Sequence, residues 1–250
     1  MMGALADIDC QLVEWPEAAD IFTCEGVARL VSEFDVLVMY DMPGIKFVRG
    51  QSPEFVAPSD AVISSWTTLL ARGMPILSMH HSIASWPTWP FFAEIVKGRF
   101  HYAPAELRGE DFPDSGYAMP VKQVFSVVAP DHPVCAGLPS RFELQDETYQ
   151  CPIFEDEVTV LITTDAPRDD KFHSSALAAV RREENASWTH PDASPAVAWT
   201  HRVDNSTIVY LQPGDGPEAF NNPVYRHLIA NAINWLSTTN YSTRKAVQDA

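Results

Sequence analysis

Positive charge is what this sequence has least of. Seventeen Lys and Arg stand against 33 Asp and Glu, a formal net charge of −16. Nucleic-acid binders neutralise phosphates with clustered cations. Here the densest cationic stretch, Arg181-Arg182, is cancelled at once by Glu183-Glu184. The same shortage argues against anionic membrane surfaces. Cysteine is scarce too: Cys10, Cys24, Cys135 and Cys151 show no CxxC or other metal spacing. A chain of 250 residues does not need an oxidised framework, so free thiols in a reducing compartment are expected. The opening MMGALADIDCQLVEW lacks a basic stretch and carries Asp7 and Asp9, unlike a secretory signal. No apolar run approaches the roughly 20 residues of a spanning helix. The expectation is a cytoplasmic protein with no nucleic-acid and no membrane partner.

What is present suits an α/β fold. Hydrophobic residues make up 46% of the chain, enough to fill a large core. Short apolar runs alternate with amphipathic stretches, the pattern of a mostly parallel sheet covered by helices. Buried strands are expected at Val36–Tyr40, Pro75–Met79, Val158–Ile162, Ala196–Thr200 and Thr207–Leu211, with a hairpin turn at Asp204-Asn205. Helices are expected at Val27–Glu33, Ser59–Arg72, Trp86–Lys97 and Pro223–Leu236. Residues 104–120 read as loop, 167–195 as a polar insertion, and 238–250 as a polar tail to a single domain over 1–237. One more element is lacking. A doubly wound sheet opens with an apolar strand, yet residues 1–9 read as the tail of a helix, with Met1, Met2, Leu5 and Ile8 at helical spacing, followed by a strand at Gln11–Val13. The first strand is therefore expected to be missing, with the true start upstream of Met1.

Four segments then match one family in order. MHHSIASWPTWPFFAEIVKGRFHY (79–102) has a strand, a histidine, a Trp-containing helix and Gly-x-Phe. VVAPDHPVCAGLPSRFELQDETY (127–149) carries HP, GLP and DE-x-Y. SPAVAWTHRVDNSTIVYLQPGDG (194–216) and FNNPVYRHLIANAINWL (220–236) follow. Together these resemble the ThuA-like (trehalose-utilisation) family of the class I glutamine amidotransferase-like superfamily. The resemblance implies a flavodoxin-like three-layer sandwich. True amidotransferases place a cysteine on the tight turn after a central strand and a histidine after a late one. Here those places hold His80-His81 and Asp215, so neither the thiol nor its base is present and glutaminase activity is not expected.

Ligands in open α/β sheets bind beyond the carboxyl ends of the strands. Asp41, His80, His81, His201 and Asp215 follow the expected strands and should converge there. His80 and His81 read either as acid/base or metal-binding groups, or as buried imidazoles bonded to backbone. A divalent metal is an open alternative, although adjacent histidines rarely share one ion and no HExxH spacing is present. In Asp146-Glu147-x-Tyr149, consecutive carboxylates on an extended segment point to opposite faces. Glu147 and Tyr149 then share the face that meets the site, with Asp146 on the other. Trp86 and Trp89 offer either a sugar-stacking wall or core packing; His132-Pro133 reads equally well as a turn.

The resemblance implies carbohydrate metabolism, on a trehalose-like or keto-sugar. His80, His81, Glu147, His201 and Asp215 are the expected acid/base groups, and Asp41, Trp86, Trp89, Asp146 and Tyr149 the expected substrate contacts. Isomerisation, elimination and hydrolysis all stay open. The rival is a non-catalytic sugar-binding or interaction protein on a degenerate amidotransferase fold. The expected partner is a small-molecule sugar, and a homo-oligomer stays open.

Overall fold

Runs of apolar residues become the middle of one eight-stranded sheet. The computed structural model describes residues 8–14, 17–184, 187–191 and 194–239. Its strands are β1 (Leu37–Met39), β2 (Ile45–Lys46), β3 (Glu54–Phe55), β4 (Ile76–Met79), β5 (Ala105–Leu107), β6 (Glu110–Phe112), β7 (Gly116–Val127), β8 (Arg141–Gln150), β9 (Thr159–Thr164), β10 (Ser174–Ser175), β11 (Ala196–Val203) and β12 (Ser206–Leu211). The helices are α1 (Cys24–Glu33), α2 (Asp60–Ala71), α3 (Pro90–Val96), α4 (Ala176–Arg181), α5 (Pro217–Asn221) and α6 (Pro223–Thr239). The main sheet runs β1-β4-β12-β11-β9-β7-β10, with β8 also paired to β7; β2-β3 and β5-β6 are separate hairpins.

Side chains alternate across the sheet and build two cores. Ile76, Trp199, Ile208 and Tyr210 face one way, against Leu30 of α1, Trp66 and Leu69 of α2, and Phe92 and Ile95 of α3. Leu77, Met79, Val197, Val209 and Leu211 face the other way, against Leu228, Ile229, Ala232 and Leu236 of α6. Helices therefore cover both faces, which makes three layers. Each such side chain contributes about 1.5–3 kcal/mol when fully buried. Local signals agree with this packing. The Ser59 hydroxyl accepts from the Val62 N–H to cap α2, and Gly73, at φ +70°, ends it.

Several expectations need correction. The sheet is mixed: β1-β4 and β4-β12 are parallel, whereas β12-β11, β11-β9, β9-β7 and β7-β8 are antiparallel. The Asp204-Asn205 turn reverses the chain into β12, and each later pairing continues the alternation. Gln11–Val13 is not a strand; residues 8–14 have no regular structure, and Leu12 is 83% exposed. Among the described strands β1 is an edge, paired with β4 alone. The expected helix tail falls largely on residues 1–7, and most of the polar tail on 240–250; both stretches lie outside the described residues. Pro87 and Pro90 delay α3 to residue 90, since each ring removes a backbone donor. Residues 104–120 hold the β5-β6 hairpin and the start of β7 rather than loop alone. Residues 167–195 carry β10, which adds to the sheet edge, and α4.

Candidate functional site

The parallel strands β4 and β12 deliver their carboxyl ends to one edge of the sheet. After Met79 the chain turns sharply at His80, whose φ is +45°, and continues as a 3-10 turn over His80–Ala84. A left-handed conformation at a non-glycine residue costs on the order of 1–3 kcal/mol and persists only where surroundings enforce it. They do so here. The Tyr210 hydroxyl donates to the His80 carbonyl at 2.9 Å, and His80 Nδ1 lies 2.7 Å from the Gln212 carbonyl. A carbonyl can only accept, so Nδ1 carries hydrogen and Nε2 faces the cleft. His80 thus occupies a tight turn directly after a central strand.

The loop after β12 closes from the other side. Asp146 accepts the Gly214 N–H at 2.5 Å and the Asp215 N–H at 3.2 Å. The Tyr40 hydroxyl donates to the Gly214 carbonyl at 2.5 Å, and the Tyr225 hydroxyl to that of Pro213. Asp215 is thereby aimed at the histidines. His80 Nε2 lies 3.3 Å from Glu147 Oε2 and 3.7 Å from Asp215 Oδ1, and His81 Nε2 lies 4.0 Å from the same Asp215 oxygen. The Tyr149 hydroxyl sits 3.0 Å from His80 Nε2. The side chains of His81 and Asp215 are 27% and 29% exposed, whereas His80 is fully buried and Glu147 nearly so. The cluster is therefore layered, with two groups at the mouth and two behind.

Its electrostatics follow from that layering. Burial alone would push His80 down. The Glu147 hydrogen bond, the Gln212 carbonyl and the charges of Glu147 and Asp146 outweigh it, and the net shift is upward. His81 is pushed down to about 4, by burial and then by His80. Burial raises the Asp146 carboxyl against the pull of the Gly214, Glu147 and Asp215 N–H groups and of His80. Burial, followed by Asp215, Asp146 and Glu147, raises Tyr40 to about 12.

Of the expected residues, His80, His81, Glu147, Asp215 and Tyr149 come together. Asp146 lies behind the cluster and holds its backbone. Asp41 is at the same edge, but its carboxylate accepts its neighbour's Met42 N–H at 2.9 Å. His201 does not reach the cluster. Its Nε2 bonds the Ile95 carbonyl at 2.7 Å. The reason is strand direction: β11 runs against β12, and His201 is level with Ile208 and hence with Ile76, the first residue of β4. That is about 13 Å of strand away from His80 at about 3.3 Å per residue. Trp86 is not a sugar wall but part of the core, packed over Gly44, where a Cβ would lie 2.9 Å from the indole. Trp89 packs on Phe91 and Phe92. The His132 ring accepts the Val134 N–H and meets Trp235 edge-on, a turn role.

Aromatic residues not singled out in the sequence pack beside the cluster. Tyr40 stacks near His80 and meets His81 edge-on at 5.7 Å. Ring contacts lead from His80 through Tyr149, Phe100 and Tyr102 to Phe47, which is 43% exposed. Tyr40 closes the VLVMY strand, so a search of strand ends extended by one residue would have found it; Tyr102 and Phe47 carry no local signal. A groove between α1 and α2, lined by Val27, Val31, Ala61 and Thr68, includes none of these residues.

Comparison with known proteins bears on the family and the fold. The family model described as ThuA, trehalose utilisation, matches residues 31–236. A ThuA-like protein from Bacteroides uniformis is similar in structure at a TM-score of 0.56 and 18% identity, over 88% of this chain and 75% of that one. A ThuA-like protein from Parabacteroides merdae gives 0.54 and 15%, over 83% and 71%. A Salmonella typhimurium protein described as cytoplasmic gives 0.51 and 14%, over 84% and 74%. No curated protein matches in sequence. Among the described residues no helix is long and apolar enough to cross a membrane.

Proposed function

The chain belongs to the ThuA, or trehalose-utilisation, family, and from that premise we propose that it processes a trehalose-like or keto-sugar by acid/base chemistry at His80, His81, Glu147 and Asp215. One observation carries this reading: two half-open groups, His81 and Asp215, stand 4.0 Å apart at the mouth of the site, over a buried His80–Glu147 pair at 3.3 Å. A proton beside a sugar carbonyl is acidic enough for imidazole or carboxylate to remove. Asp215 or His81 would take that proton at the mouth, and the pair behind would pass or return one to the carbonyl oxygen. Isomerisation and elimination share this first step. The exposed face of Tyr40 beside the cluster suits the apolar face of a pyranose.

The test is solvent exchange. Incubating the protein with a keto-disaccharide in heavy water should place deuterium on the carbon next to the carbonyl, as read by NMR. Exchange should fall by roughly 10²-fold or more in Asp215→Asn, within the range for removal of a positioned acid or base. Binding of the sugar with neither exchange nor product would favour the rival, a sugar-binding protein without catalysis.

A further inference from the structure

We propose that His80, His81, Glu147 and Asp215 bind one divalent transition-metal ion of the zinc type, through both imidazole Nε2 atoms and one oxygen of each carboxylate. The inference rests on the acid/base reading only for what the ion would do to a sugar, where the non-ligating oxygen of Asp215, rather than the ligating His81 Nε2, would take the proton; the site itself stands on geometry.

The four donor atoms lie within 4.8 Å of one another. The separations include 3.3, 3.7 and 4.0 Å. A tetrahedral ion with bonds of about 2.1 Å needs donors about 3.4 Å apart, so small side-chain rotations close the set. Neighbouring histidines seldom share an ion because an ordinary strand or helix points their rings apart. The left-handed turn at His80 removes that obstacle: the two ring centroids are 4.0 Å apart. Both Nε2 atoms then reach the same Asp215 oxygen.

The surroundings resemble those of a ligating histidine. Its far nitrogen normally donates to a carbonyl or carboxylate, which fixes the tautomer and ring orientation. His80 Nδ1 does this to the Gln212 carbonyl. The other ligands are also held. Asp146 fixes the backbone of Asp215, and the Gln123 amide donates to the Glu147 carbonyl at 3.2 Å. Two carboxylates and two neutral imidazoles balance a doubly charged ion. Mixed nitrogen and oxygen donors suit zinc, cobalt or nickel better than calcium or magnesium. The half-exposed side of His81 and Asp215 leaves room for a further ligand, where the carbonyl and adjacent hydroxyl of a keto-sugar could chelate.

Cobalt(II) titration of chelator-treated protein tests this without any sugar. The expected result is visible absorption bands that saturate at one equivalent and are displaced by one equivalent of zinc. His81→Ala and Asp215→Asn, each confirmed folded by circular dichroism, should weaken cobalt binding by at least about tenfold. His227→Ala, at an exposed histidine remote from the ligand set, should leave the titration unchanged. Absence of saturable bands in the wild type would overturn the site, as would identical titrations in the wild type and both ligand variants. Bands without deuterium exchange into a keto-sugar would leave the metal site standing and remove the proposed reaction; exchange without bands would do the reverse.

Discussion

A Cβ built on Gly214 would lie 3.2 Å from the Cβ of His80. The loop carrying Asp215 can approach the histidine turn this closely because residue 214 has no side chain, and because only glycine readily holds its φ of +146°. Gly214→Ala should destabilise the protein by about 1–3 kcal/mol, the usual cost of such a backbone position. It should also lower sugar turnover by withdrawing Asp215. Chemical denaturation and a rate assay on the same preparation check both; an unchanged variant would mean that the loop has slack.

Asp146 should behave as a positioning residue rather than a substrate contact. Both of its oxygens accept backbone N–H groups, from Gly214 and Asp215. Asn offers one oxygen and one amide, so Asp146→Asn must leave an N–H facing a donor, at about 1–3 kcal/mol for an unmet buried group. The expected outcome is loss of kcat together with stability. A rise in KM alone, at full stability, would restore the substrate-contact role.

Tyr149→Phe separates packing from chemistry. The ring stays, stacked 5.2 Å from the imidazole of His80, and only the hydroxyl at 3.0 Å from Nε2 is lost. Stability should fall by about 0.5–1.5 kcal/mol, one hydrogen bond's worth. Turnover should fall more steeply, by about 10²-fold, if that hydroxyl holds His80 in its working state. Thermal unfolding and kcat, measured side by side, decide it.

Much of this arrangement was legible before the fold was known, for physical reasons that can be named. PILSM is a continuous apolar run, the trace left by a strand buried on both faces, whereas VLVMY forms the sheet edge with Val38 and Tyr40 exposed. His80 was found because it follows such a run. Glu147 and Tyr149 were paired because strand side chains repeat every two residues. What failed was direction. His201 was placed at the sheet's ligand-binding edge on the assumption of parallel strands, and antiparallel β11 carries it toward the opposite edge. β7 carries no clear strand signal because Pro120 interrupts GYAMPVKQVFSV, at a register shift between Ala118 and Val121. Its partner β8 shows in the sequence only as an extended segment around Asp146-Glu147. Phe100 and Tyr102 connect to the site through the contact of Phe100 with Tyr149, distant in sequence, which no local pattern records.

The same misplaced histidine gives a pH prediction. His201 is buried, and burial is the main force pushing it down to about 4, below the ordinary imidazole value of 6.5. Its hydrogen bond to the Ile95 carbonyl and the Glu157 carboxylate pull the other way, and Lys97 adds to the depression. The folded state thus resists a proton that the unfolded chain accepts. Between pH 6.5 and about 4 the unfolded state binds more protons, so stability must fall as pH falls through that window and be flat with respect to this group above it. Two units of acidification inside the window, to pH 4.5, correspond to about 2–3 kcal/mol. His101, pushed down to about 3 by burial and by Arg99, adds a loss of the same sign. His201→Gln keeps a side-chain donor for the Ile95 carbonyl but has nothing to titrate. Its loss of stability from pH 7 to pH 4.5, measured by urea unfolding, should be smaller than the wild type's by about 2 kcal/mol. Equal losses in the two proteins would mean that His201 charges within the fold, which its enclosure between β11 and α3 should forbid.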